Sequence, residues 1–413
     1  MKTHEIHKNI SAKVQPYSIR LNRYSRRVFI AIICLAVELI FFRSIIAYKL
    51  TSGSALLNDF DVFYAAGALY WSGNIIEAYD SQYFISYMTK ILQKEALLLW
   101  TYPPQFIFVS AALSLIPPII SYAVFMISSS VIFFIVIYRI SGDFSIIPLS
   151  LTVPVIIMAA LTGQNSFFIS SLTGIFCISA LISNSPKVAG LFLGLMIFKA
   201  HLAIGIGWFV LLKKNWCILL TAVLVIVVSS FISTLTFGIP VWFAFSQALE
   251  EASTYLGKGL YPMDRMSSIY AFVYTATEGS NLYSAIAHFS FMLIAFGLCA
   301  VSILQSWEVK RSFAIACLAT LSVSPYCYDY DTLIAAVAFS IVARDLIFYS
   351  SLIEKVFIFM FSWLMTGWGL VSTFLIRETT SVYEKYVSLG GLGLVGVTIL
   401  LFMILLRAQR THS

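Results

Sequence analysis

Trp100-Thr101-Tyr102-Pro103-Pro104, followed by the apolar run Gln105 to Leu115 and closed by Pro117-Pro118, is the stretch on which the topology of this chain turns. A helix rises about 1.5 Å per residue, so the run reaches roughly 16 Å against a hydrocarbon core of about 30 Å. A proline pair at either end stops any extension. The expectation is a re-entrant or interfacial helix, with Trp100 and Tyr102 at headgroup level. The parity of every later span follows from this. If the run crossed instead, the Gly163-Gln164-Asn165 turn would change sides and Val188 to Leu212 would form one long helix.

Around this stretch the chain has 413 residues, 60% hydrophobic and only 11% charged, with a mean hydropathy of +0.90. That is more apolar surface than a soluble fold of this size can bury, so the class is an all-α polytopic membrane protein. The formal charge of +7 does not point to nucleic acid. The cations gather in residues 1–27 (Lys2, Lys8, Lys13, Arg20, Arg23, Arg26, Arg27) and in short turns between apolar runs, which is the positive-inside pattern. The first span, about Val28 to Ala47, has no small-residue cleavage site after it and reads as a retained signal anchor with a cytoplasmic tail. Six cysteines are scattered without metal-ligand spacing, so neither disulfides nor a zinc site is expected.

Beyond the tail, one membrane domain covers residues 28–406, and 407–413 forms a second cytoplasmic tail. Two long extracytoplasmic loops are expected, at about 48–104 and 238–281, with surface helices at Tyr79 to Leu99 and Phe243 to Tyr255. With Gln105 to Leu115 re-entrant, the turns at Arg139, Lys187, Lys213-Lys214, Glu308 to Arg311, Arg344 and Arg407 fall inside, each carrying a cation. The total is about twelve spans, within roughly 10 to 13, and both termini are cytoplasmic in the inner (plasma) membrane.

On this topology the unusual polar residues collect at the outer border: Asp59 and Asp61, Tyr102, Gln164 and Asn165, Lys199 and His201, Arg265, and Tyr326 to Asp331. Burying an ionisable group without a partner costs several kcal/mol, so such residues inside a membrane protein are functional candidates by default. A carboxylate can take a proton from a hydroxyl nucleophile, and cations can hold a phosphate leaving group. Transfer of a sugar from a lipid phosphate needs both, and short helices ending at Lys199 and Ser324 would admit a lipid tail sideways. Each residue also has a plainer reading. Lys199 can snorkel, His201 can be a bonded helix-end imidazole, and Gln164-Asn165 can cap the next helix. Asp329 and Asp331 can cap a span, Arg265 can pair with Asp264, and Gly190 to Gly194 can serve helix packing. Their co-location favours the functional reading.

The order of motifs resembles the GT-C membrane glycosyltransferases, and within them glycosyltransferase family 87, the polyprenol-phosphate-mannose-dependent mannosyltransferase-like proteins. The matching residues are Asp59 to Gly67 with Gly73 and Tyr79-Asp80, Tyr102-Pro103-Pro104, Gly163-Gln164-Asn165, and Gly190 to Gly194 leading to Lys199. Met266 to Tyr270 and Ser324-Pro325-Tyr326 with Tyr330-Asp331 complete the set. The resemblance implies a GT-C-like fold and an inverting transfer of a hexose, mannose first, from a polyprenyl-phosphate donor to a glycolipid or polysaccharide acceptor. Asp59 takes the position of the base and Lys199 that of a residue near the donor phosphate. The chain departs from the pattern at Ala200, where Pro commonly follows the lysine, and at Tyr326, where some members carry His.

The roles expected are therefore Asp59 as general base with Asp61 in support, and Lys199, His201 and Arg265 at the donor phosphate. Tyr102, Gln164, Asn165, Tyr326 and Asp331 are placed at the sugar or acceptor. No cofactor is expected, although a carboxylate-rich outer cavity leaves room for a loosely held divalent cation. The rival readings are a transporter or flippase of lipid-linked saccharides, an O-antigen polymerase or ligase type of enzyme, and a non-catalytic assembly protein. A transporter should show two related halves and polar residues through the membrane depth. This sequence has no clear internal repeat, and its polar cluster lies on one face.

Overall fold

The computed structural model describes residues 27–40, 59–92, 99–378 and 386–411. The basic tail up to Arg26, residues 41–58 (the end of the expected first span and the start of the first outer loop), residues 93–98 and 379–385, and the last two residues, 412–413, lie outside them. The described residues are helical, without strands apart from one isolated antiparallel bridge between Met266 and Tyr328. The helices are α1 (27–40), α2 (Asp59–Trp71), α3 (Ser81–Leu92), α4 (Ile107–Leu113), α5 (Pro118–Ser141), α6 (Ile146–Thr162) and α7 (Ser166–Cys177). Next come α8 (Pro186–Leu195), α9 (Ile204–Leu212), α10 (Trp216–Phe237), α11 (Pro240–Gly257), α12 (Ile269–Ala276) and α13 (Asn281–Leu304). The chain ends with α14 (Val309–Leu321), α15 (Ile334–Ile341), α16 (Ala343–Phe348), α17 (Leu352–Glu378) and α18 (Gly390–Arg410). Proline opens α5, α8 and α11, where its missing N–H costs nothing.

Six helical runs among the described residues are long and apolar enough to cross a membrane by length and composition. On α10 the apolar residues Leu220, Leu224, Val227, Phe231 and Leu235 are all exposed, far more than a soluble surface leaves open, which marks this face as lipid-facing. The expected class, an all-helical multi-pass membrane protein, is what the helices give, with six runs of crossing length where about twelve spans were expected. Several of the other runs are short helices buried in the bundle. In α14 every residue from Arg311 to Leu321 is buried, as is every residue of α15 from Ile334 to Ser340. The Pro104–Leu113 segment is likewise short. It lies antiparallel to α2, with Trp71 Nε1 donating to the Ala111 carbonyl and Tyr64 OH to that of Ile116.

One of the six runs, Pro186–Leu212, folds back on itself. Gly190 lies against Ile218 and Thr221, and Gly194 against Ala222 and Val225. Both numbers advance together, so α8 and α10 run parallel, and α9 between them must run in the opposite direction. The chain reverses at Lys199, whose φ of −146° and ψ of 66° break the helix. Gly190 and Gly194 thus serve close helix packing, and the break leaves Lys199 at the apex of a hairpin. Helix α14 lies antiparallel to α9, with Gly205 against Thr320 and Phe209 against Phe313. Ser324 therefore reaches the level of Lys199, and Arg311 lies at the other end of the bundle.

Candidate active site

Several separate segments meet around a cavity of about 540 Å³ at the Lys199 end. The start of α2 contributes Asp59, the Pro103-Pro104 turn contributes Tyr102 and Gln105, and the α6–α7 turn contributes Gln164. Gly163, with φ of 71°, makes that turn in the left-handed region, where a side chain is disfavoured. The α8–α9 apex supplies Lys199 and His201, and the turn after α11 supplies Arg265. The last wall is the segment from Ser324 to Asp331. It is bridged to Met266 through Tyr328, and the Ser267 N–H donates to the Cys327 carbonyl at 2.6 Å. A turn closed by the Cys327 N–H on the Ser324 carbonyl is followed by the extended Tyr328 and a 3-10 helix over Asp329–Leu333, and Ser324, Tyr326, Tyr328 and Tyr330 all line the cavity.

Both cations are held by acids from this same segment. Lys199 Nζ lies 2.5 Å from Asp331 Oδ1. Arg265 donates through Nε and Nη2 to the two carboxylate oxygens of Asp329, at 3.3 and 3.1 Å. Lys199 and Arg265 also lie over the Tyr330 ring, at 4.9 and 5.8 Å from its centroid. The bonding pattern leaves Nη1 of Arg265 and further ammonium protons of Lys199 for a ligand. Burial opposes the charge on Arg265, but Asp329 and Asp59 more than offset it and hold the guanidinium above its ordinary value.

Asp59 is a carboxylate of a different kind. Its Oδ2 is buried with no hydrogen-bond partner among the described residues. Burial raises its carboxyl above the ordinary aspartate range, while Arg265, a hydrogen bond from Gln164 and Lys199 pull against the rise. Gln164 is fixed in turn by Tyr102, whose OH donates to Gln164 Oε1 at 3.1 Å. Burial pushes the Tyr102 phenol up to about 12, so it remains a donor. Tyr102 stacks on Phe106, with ring centroids 4.7 Å apart, and its carbonyl accepts from Tyr79 OH. Three further polar atoms of the lining are buried without partners among the described residues: Gln105 Oε1, His201 Nε2 and Tyr326 OH. A ligand rich in hydroxyls can satisfy such a set, and the aromatic walls suit the apolar faces of a sugar ring.

Of the residues singled out from the sequence, Asp59, Tyr102, Gln164, Lys199, His201, Arg265, Tyr326 and Asp331 line this one cavity. Asp61 and Asn165 are buried but not part of its lining. The plainer pairing of Arg265 with Asp264 is not what forms, because Asp264 instead accepts from Ser372 Oγ at 2.8 Å. Asp329 and Asp331 are ion-pair partners rather than helix caps. Sequence reasoning missed Gln105, whose Nε2 donates to Ser230 Oγ. Tyr328 and Tyr330 lie within the run Tyr326 to Asp331 expected at the outer border, but the sequence assigns no site role to them. Among the described residues there is no group of three or more His, Cys, Asp or Glu side chains arranged to hold a metal ion.

The sequence model of glycosyltransferase family 87 matches residues 100–325. No curated protein and no solved structure matches the chain. The matched segment takes in Tyr102, Gln164, Lys199, His201 and Arg265. Asp59 lies before it, and Tyr326, Asp329 and Asp331 lie after it.

Proposed function

The chain belongs to glycosyltransferase family 87, and on that premise we propose that its cavity transfers a hexose, mannose first, from a polyprenyl-phosphate donor to a hydroxyl of a glycolipid or polysaccharide acceptor. The observation that carries this reading is the pairing of Asp59, whose buried Oδ2 has no partner among the described residues, with two fixed cations in one cavity. Asp59 removes the proton from the acceptor hydroxyl. The oxygen attacks the anomeric carbon, the bond from that carbon to the phosphate oxygen breaks, and the electron pair leaves with the lipid phosphate. Attack opposite the leaving group inverts the anomeric centre.

Lys199 and Arg265 meet the phosphate as its charge grows. Their own charges are matched by Asp331 and Asp329, so the site offers directed N–H donors rather than a strong net positive field. Such donors, held in place before the reaction, need no reorganisation as charge develops. His201 Nε2 is a further contact for the phosphate, and Gln105, Gln164 and Tyr326 read sugar or acceptor hydroxyls. Asp61 and Asn165 support the walls from behind. The short helices that end at this level leave the cavity near the bilayer border, where a lipid-linked donor arrives, on the extracytoplasmic side by the positive-inside count.

The test is transfer of label from polyprenyl-phosphate mannose in membranes carrying the wild type or Asp59→Asn. Loss of about 100-fold or more is expected for removal of a general base. Undiminished transfer in the variant would sink the assignment.

A further inference from the structure

At the opposite end of the bundle lies a second depression, of about 690 Å³, walled by the end of α5, the turn after it, the start of α14 and helix α16. Its frame is an interlocked set of charges. Arg311 is buried and donates through Nε and Nη2 to the two oxygens of Asp345, at 3.1 and 3.0 Å, and through Nη1 to Gln409 Oε1 at 3.0 Å. Glu308 comes within 3.6 Å of the same guanidinium. The lining holds four cations, Arg139, Lys310, Arg311 and Arg344, against three acids, Asp143, Glu308 and Asp345, a net charge of +1.

Three further cations line the depression: Arg139, Lys310 and Arg344. All three are exposed, and none forms an ion pair with a described residue. Arg344 is instead steadied over the Phe144 ring at 5.3 Å. Arg139 also continues an apolar stripe. Ile120, Val124, Ile127, Val131, Ile135 and Tyr138 are exposed along one side of α5, and Arg139 follows Ile135 by one helical turn. A polar depression ringed by uncommitted cations thus opens at the foot of a lipid-facing apolar seam.

We propose that this depression binds the headgroup of an anionic phospholipid, whose acyl chains lie along the exposed side of α5. Charge complementarity selects an anionic over a zwitterionic headgroup, since cations near a membrane surface attract anionic lipid individually. The continuous seam selects a lipid over a soluble phosphate, which would have no use for it. The site is far from the Asp59 cavity and does not depend on the glycosyl-transfer reading. It would tie the enzyme to an anionic-lipid environment at the membrane border opposite the reaction.

The test uses the full chain purified in a neutral detergent, titrated with dioleoyl phosphatidylglycerol or dioleoyl phosphatidylcholine and read by native mass spectrometry. Phosphatidylglycerol should bind preferentially. Each of Arg139→Gln, Lys310→Gln and Arg344→Gln should weaken that binding about fivefold, and the triple variant on the order of 100-fold. Lys187→Gln, an exposed cation at the same border but outside the depression, should leave binding unchanged. Thermal melting confirms folding, and the single variants carry the result if the triple variant does not fold. Equal binding of the two lipids, equal weakening by Lys187→Gln, or displacement of the lipid by glycerol 3-phosphate would each overturn the proposal.

Discussion

Lys199 Nζ lies 2.5 Å from Asp331 Oδ1 and over the Tyr330 ring, which Arg265, locked on Asp329, also reaches. Removing one partner of a buried ion pair strands the other and costs about 3–5 kcal/mol, whereas replacing both by neutral groups is close to neutral. Lys199→Met and Asp331→Asn should therefore each lower the melting temperature clearly, and the double variant should regain most of the loss. Transfer activity should stay low in the double variant. If activity returned together with stability, Lys199 would serve only the fold, and the donor-phosphate role would have to be abandoned.

Asp59 gives the pH dependence. Burial raises its carboxyl above the ordinary aspartate range, so the proton-accepting form is lost at a higher pH than for an exposed aspartate, whose value is about 4. The profile of kcat/KM for transfer should fall on the acid side through an apparent pKa above that value. Asp59→Asn should remove this limb together with about 10²- to 10⁴-fold of the rate. An acid limb unchanged in Asp59→Asn would assign the titration to another group.

Much of the site was legible because ionisable residues are rare in an apolar chain and stand out wherever they fall. The Pro103-Pro104 pair, the Gly163 turn and the polar break at Lys199 are also local signals, each fixed by a few residues. Pairing was not legible. Arg265 finds Asp329 across 64 positions rather than its neighbour Asp264, because the bridge at Met266 and Tyr328 brings those segments together. Burial was not legible either. A helix buried on all sides, such as α14 or α15, carries the same apolar run as one facing lipid, and hydropathy does not separate them. The reversal at Lys199 was legible in its polar break, and the parallel register of Gly190 and Gly194 against α10 shows it in the fold.

Gly369 on α17 tests how the Arg265 side of the site is held. A methyl group there would collide with the Asp329 carboxylate, which receives both Arg265 bonds. Gly369→Ala should therefore push Asp329 off its position and loosen the guanidinium, at a stability cost of about 1–3 kcal/mol. Transfer should fall by roughly 10- to 100-fold, as displacements of about 1 Å in a positioned group do. The measurement is kcat/KM beside the melting temperature. A stable variant with full activity would show that Arg265 does not need Asp329 for its role.

The α8–α9 hairpin predicts opposite outcomes for two kinds of glycine. At Gly190 a side chain would meet Thr221 Cβ at 2.5 Å and the Ile218 carbonyl at 2.6 Å, and at Gly194 it would meet Val225 Cβ at 2.7 Å. Backbone and branched Cβ atoms cannot step aside, so Gly190→Leu and Gly194→Leu must force α8 away from α10, costing about 1–3 kcal/mol or more. The displacement carries Lys199 with it, because the apex is anchored by α8, and transfer should fall beyond what the loss of folded protein explains. Gly207, on the returning helix, has nothing within 4 Å of a Cβ position. Gly207→Ala should leave activity intact and stabilise the helix by about 0.5–1 kcal/mol. Were Pro186–Leu212 a single straight crossing, the short turn after it would set α10 antiparallel, and Gly190 and Gly194 would not face residues 218–225. Partial rescue of Gly190→Ala by Thr221→Gly, which removes the Cβ that the new methyl group meets, would then fail. Rescue, with the Gly207 result beside it, fixes the hairpin and with it the place of Lys199.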